Sequence, residues 1–171
     1  MINQEIDDSG LFNLNCPLPK EPLSFIEDGI FLGNFEGAQD VELLRSNGVE
    51  KVLALLEDFL EYRKFDGIEY KQVLIVDNVK ANLLGILPEC LEFVSNAQKV
   101  GQNVFVHCVA GISRSPSVLI AYFMVKYSVN YYTARDYVNK GRPGIYPNKG
   151  FISQLRQLDV NDYQTYLNLK S

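Results

Sequence analysis

Apolar residues along this chain follow two alternating rhythms. Short continuous runs read as buried strands: Gly29-Ile30-Phe31-Leu32-Gly33, Lys51-Val52-Leu53-Ala54-Leu55-Leu56, residues 70–76, and Asn103-Val104-Phe105-Val106. Between them, apolar residues recur at helical spacing. Residues 37–46 carry Ala38, Val41, Leu43 and Leu44, and Asn47-Gly48 stops the run. Residues 83–99 carry Leu84, Leu87, Leu91 and Val94, with Gly101 where a helix stop is expected. Residues 115–126 are apolar nearly all round, which predicts a buried helix. Residues 133–139 and 151–158 predict two more helices. Strands alternating with helices imply a single α/β domain, with a central, mainly parallel sheet flanked by helices. Residues 1–22 contain Pro17, Pro19 and Pro22 without periodicity and read as an extended arm. The domain is expected over residues 23–158. Residues 159–171 read as a polar tail or a final short helix.

Composition narrows the function. A chain of 171 residues suits one domain with a real core. A formal net charge of -5 makes a poor generic binder of nucleic acid or of anionic membrane, since both need basic surface. No apolar run approaches the ~18 residues of a membrane span. The polar, acidic N-terminus lacks the form of a secretory signal. A cytoplasmic or nuclear monomer is the expectation. The three cysteines, Cys16, Cys90 and Cys108, are odd in number, which argues against a disulfide framework. With a single histidine they also lack the spacing of a structural zinc site, so no metal and no cofactor is expected.

One segment carries chemistry: His107-Cys108-Val109-Ala110-Gly111-Ile112-Ser113-Arg114-Ser115-Pro116. It joins the strand ending at Val106 to the buried helix. A loop from a strand to a helix N-terminus points backbone N–H groups into one hollow, where the helix dipole adds positive potential. Gly111 supplies conformational freedom, and Ser115 is a candidate cap with Pro116 in the first turn. A thiol at the start of such a loop ionises more readily than a free cysteine. The anion cradle that holds phosphate would thus also activate Cys108. Arg114, six positions on, offers a planar fork that binds two phosphate oxygens.

This segment resembles the Cys-x5-Arg signature of the protein tyrosine phosphatase superfamily. The form His-Cys-x-x-Gly-x-Ser-Arg-Ser is that of its dual-specificity subgroup. Ile26-Glu27-Asp28-Gly29-Ile30-Phe31-Leu32-Gly33-Asn34 resembles the family's opening strand. Gly141-Arg142-Pro143, Pro147-Asn148-Lys149-Gly150-Phe151 and Gln154-Leu155 resemble its closing region. The resemblance implies a tyrosine-phosphatase-like fold and two-step phosphoryl transfer. Cys108 matches the nucleophile. Arg114 and the backbone of Val109, Ala110, Gly111, Ile112 and Ser113 match the phosphate cradle. Ser115 matches the hydroxyl that helps the thiolate leave. His107 matches the residue ordering the loop, although a sole histidine could equally be plain core. The family's general acid is an Asp about thirty residues before the cysteine. Asp77 follows the 70–76 run and precedes Cys108 by thirty-one residues. The strands before Asp77 and Cys108, taken as sheet neighbours, would bring the two together. Asn148 matches a position near the loop, and Arg142 is a helper either for a second phosphate or for local structure. Cys90 reads as helix packing. A protective disulfide with Cys108 is chemically sensible for Cys90 or Cys16, without sign that either reaches it.

Val109, Ala110 and Ile112 put no charge in the loop, which disfavours a phosphoinositide. Phosphorylated protein is the expected partner and substrate, through phosphotyrosine and phosphoserine or phosphothreonine. The alternatives are phosphatases of lipid, glycan or RNA ends, and a phosphate-binding module without turnover. A rhodanese-type sulfur transferase also uses a loop cysteine, but Asp77 and the helix after Ser115 fit the phosphatase better.

Overall fold

The computed structural model describes residues 17–58 and 63–167. Its apolar runs pair into a five-stranded sheet of order β1-β2-β5-β3-β4. Strands β1 (Leu23–Glu27) and β2 (Ile30–Gly33) form an antiparallel hairpin. Strand β2 then pairs in parallel with β5 (Asn103–His107). On its other side β5 pairs in parallel with β3 (Val49–Leu56), and β3 with β4 (Glu69–Leu74). The continuous apolar runs lie where both faces are covered. Val104, Phe105 and Val106 of β5 are wholly buried, as a central parallel strand requires.

Helix α1 (Phe35–Gln39) and helix α2 (Val41–Ser46) cover one face, over Phe31, Val52 and Phe105. The larger core lies on the other face, under α3 (Leu83–Lys99) and α4 (Arg114–Tyr127). Helix α4 is buried continuously from Arg114 to Val125, as its all-round apolar sequence predicts. Helices α5 (Tyr131–Gly141), α6 (Lys149–Arg156) and α7 (Val160–Leu167) complete that layer. The α/β class and the mainly parallel sheet are as the sequence implies.

Three details differ from the sequence expectations, and one open alternative is decided. The single helix expected over 37–46 is two, because the Asp40 carboxylate accepts from Leu43 N–H at 2.9 Å and restarts the helix. The opening strand is a hairpin. Of the two readings for residues 159–171, the described part shows the short helix, α7 over Val160–Leu167: Leu167 is buried, and its carbonyl accepts from Ser95 Oγ at 3.0 Å. Lastly, the strands before Asp77 and Cys108 are not neighbours, since β3 lies between β4 and β5. The parallel strands β2, β5, β3 and β4 still end on one edge of the sheet. Open α/β folds place their ligand sites on that edge.

Candidate active site

Strand β5 ends at His107, α4 begins at Arg114, and the residues between make a tight loop. Gly111 is its pivot. It has φ +66°, and a Cβ there would lie 2.4 Å from Gly33 O and 2.7 Å from Arg142 Nη2. Only glycine fits on both counts. The loop carbonyls are held from behind. Val109 O accepts from Phe35 N–H at 2.9 Å, and Ile112 O accepts from Tyr146 N–H at 2.7 Å. Gly111 O accepts from Arg142 Nε at 2.9 Å. In a trans peptide the N–H points opposite its C=O. Fixing these carbonyls outward therefore turns the amides of Ala110, Ile112 and Ser113 toward the hollow, at the positive end of α4.

Cys108 lies at the bottom, 2% exposed. Its Sγ accepts from Gly111 N–H and from Ser115 Oγ, each at 3.2 Å. Both put a hydrogen-bond donor on the sulfur. The expectation that Ser115 caps α4 is corrected: Ser113 is the capping position, without a side-chain cap bond, and the Ser115 hydroxyl is committed to the sulfur. Arg114 is buried beside the hollow. Its Nη1 lies 3.4 Å from Ile75 O and 3.5 Å from Glu57 Oε1, and its Nε has no hydrogen-bond partner among the described residues. A buried guanidinium nitrogen without an acceptor is costly; an oxyanion in the hollow would relieve it.

His107 is wholly buried and stacks on Phe105 with centroids 5.5 Å apart. Its Nδ1 is 3.0 Å from Cys108 O. A carbonyl only accepts, so Nδ1 carries the proton. Burial pushes the imidazole pKa down to about 4, which keeps the ring neutral over the working range.

Asp77 arrives from the edge strand across the end of β3. Its Oδ1 accepts from Ser113 Oγ at 2.7 Å and from Asn148 Nδ2 at 2.8 Å. Asn148 N–H donates to the same Ser113 Oγ at 3.0 Å, while Asn148 Oδ1 caps α6. Cys108, Arg114, Asp77 and Asn148 thus line one open cavity of about 490 Å³, rimmed by Val79 and Val109.

The structure separates the two options for Arg142. It is 1% exposed and donates to Gly111 O, Glu21 O and Ser24 Oγ. A second phosphate has no access to it; it braces the loop. Cys90 is buried in α3, and burial pushes its thiol pKa up, the state of a packing residue. Cys16 lies outside the described residues. Sequence reasoning missed Glu57, which faces Arg114 only because β3 and α4 meet at this edge, and Phe35, which contributes a backbone N–H that no side-chain pattern reveals.

Comparison with known proteins agrees with this geometry. The family model for the dual specificity phosphatase catalytic domain matches residues 30–161. Dual specificity protein phosphatase 1 of Arabidopsis thaliana is 36% identical over 136 residues, 80% of this chain and 68% of that one. Dual specificity protein phosphatase 19 of Mus musculus is 36% identical over 135 residues, 79% of this chain and 61% of that one. The chain therefore spans roughly two thirds of the length of these relatives. The crystal structure of DUSP15 superposes with a TM-score of 0.80 at 25% identity, over 87% of this chain and 96% of that one. With a matching family model across most of its length and a matching fold, the chain belongs to the dual specificity phosphatase family and carries the catalytic domain of a protein phosphatase.

Proposed function

We propose that the protein hydrolyses phosphotyrosine and phosphoserine or phosphothreonine in proteins through a phosphocysteine intermediate. The observation that carries this reading is the convergence at Cys108 Sγ. A buried sulfur accepts from Gly111 N–H and Ser115 Oγ within a cradle closed by Arg114. The substrate classes follow the names of the relatives.

In the first step Cys108 thiolate attacks phosphorus. The bond from phosphorus to the substrate oxygen breaks, and Asp77 gives that oxygen a proton. The inward amides and Arg114 bear the charge on the three equatorial oxygens, a role in which preorganised donors act with most effect. In the second step Asp77 carboxylate takes a proton from water as the water oxygen attacks phosphorus. The P–S bond breaks, the Ser115 hydroxyl receives the departing thiolate, and inorganic phosphate is released. The first step needs the thiolate and the protonated acid together, so the pH profile of kcat/KM is bell-shaped.

The test is hydrolysis of a phosphotyrosine peptide and a phosphothreonine peptide near pH 6 with EDTA and a thiol reductant. Wild type is expected to turn over both. Cys108→Ser is expected to turn over neither, yet still bind phosphate in the intact cradle. Wild-type turnover in Cys108→Ser would remove Cys108 as nucleophile. Failure of wild type on both peptides, with phosphate binding retained, would favour a non-protein phosphate or a binding module.

A further inference from the structure

Five consecutive residues of the Asp77 loop, 76–80, are exposed. No buried side chain among them holds the loop down. Its internal hydrogen bonds are short-range, from Asn78 N–H to Val76 O at 3.0 Å and from Lys80 N–H to Asn78 Oδ1 at 2.8 Å. They fix the shape of the turn; the cradle itself reaches the loop through Ser113 Oγ, which donates to Asp77 Oδ1 at 2.7 Å, and the remaining ties come from α6.

Helix α6 meets the loop at three levels. At Asp77, the Asn148 amide donates to Oδ1 at 2.8 Å. At Val79, Gly150 faces backbone: a Cβ built there would lie 2.0 Å from Val79 O, 2.6 Å from Val79 C and 2.7 Å from Val79 Cα. At the far end, Gln154 Nε2 donates to Ala81 O at 2.9 Å, while its Oε1 accepts from Leu83 N–H at 2.8 Å. The approach at Gly150 is the tightest of these. A methyl group there cannot be accommodated by rotating a side chain, because every atom it meets is backbone.

We infer that α6, through Gly150 and Gln154, is the frame that sets the height of Asp77 over Cys108, and that both are positioning residues for proton transfer. This rests on the reading of Asp77 as the general acid. A 1 Å displacement of a reacting group can cost about a hundredfold in rate. Clearing the Gly150 clash needs a shift of that order.

The test uses the ratio of kcat/KM for a poor leaving group (phenyl phosphate) to that for an activated one (dinitrophenyl phosphate). Inorganic phosphate serves as the probe of the cradle. Gly150→Ala is expected to lower the ratio about tenfold or more, with the inhibition constant of inorganic phosphate held. Combined with Asp77→Asn, it is expected to lower the ratio no further, because the proton it misplaces is already gone. Should Gly150→Ala not fold, Gln154→Met carries the same expectation, since it keeps the helix and removes the side-chain amide's bonds to Ala81, Leu83, Leu84 and Gly150. A lowered ratio in Asp77→Asn with a wild-type ratio in folded α6 variants would overturn the frame alone. A wild-type ratio in Asp77→Asn itself would overturn the acid assignment, and the frame with it.

Discussion

The cradle and the acid loop do their work a few ångströms apart but are built in opposite ways. The cradle runs continuously from His107 to Ser115, its reactive side chains are buried, and its carbonyls are held by Phe35, Arg142 and Tyr146. The acid loop is exposed and held chiefly from outside, by Ser113, Asn148, Gly150 and Gln154. Charge stabilisation needs fixed dipoles in a dry place, so its parts are sealed into the core. Proton exchange, the role proposed for Asp77, needs access to the leaving group and later to water; the carboxyl stands exposed at the rim, tied to Ser113 of the cradle and to the neighbouring helix.

That contrast predicts two kinds of damage. Harm to the cradle falls on every substrate alike, because all present the same phosphoryl group. Arg114→Lys replaces a fork with a point charge and is expected to lower kcat by about 10²–10³ on activated and unactivated esters equally. A loss confined to one class would mean that the two regions are not separable. Harm to the acid loop depends on the leaving group. Asp77→Asn is expected to slow phenyl phosphate by about a hundredfold and dinitrophenyl phosphate by much less. Equal losses on both esters would place Asp77 outside proton transfer.

Contiguity also explains what the sequence disclosed. The cradle was legible because a buried strand, a pivot glycine and an all-apolar helix follow each other directly, and local pattern governs each. Asp77 was singled out by the family's spacing and by its place after an apolar run; it does reach the cavity of Cys108, but not from a neighbouring strand. Whether β3 or β5 lies beside β4 depends on pairing across the whole sheet, and no local rhythm encodes it. Arg142 sits in a polar stretch, and only the hairpin folding over it reveals a buried brace. Gly150 and Gln154 were visible as motif residues, yet their purpose depends on a loop some seventy residues earlier. The half-polar edge strand β1 has too few buried positions to register as a period.

The smallest effect probes the wall behind the cradle. His107 is neutral and buried, its pKa pushed down to about 4 from the ordinary 6.5. Between those values the unfolded chain binds a proton that the folded one refuses, so stability rises with pH across that window. The contribution is complete above 6.5 and is lost as pH falls toward 4; its ceiling, from the shift between 6.5 and about 4, is about 3 kcal/mol. His107→Asn keeps a donor near the Cys108 carbonyl and removes the titration. It is expected to flatten the acid side of the stability curve, read as urea midpoints from pH 4.5 to 7.5, while leaving the slope above pH 7 alone. As this is the chain's one histidine, a variant that kept the full acid slope would assign it to carboxylates. The acid limb of the kcat/KM profile should survive His107→Asn, because the buried ring is already neutral above its pKa of about 4. A limb that moved with the histidine would make the wall behind the cradle part of its charge, and the division between sealed dipoles and an exposed proton carrier would no longer hold.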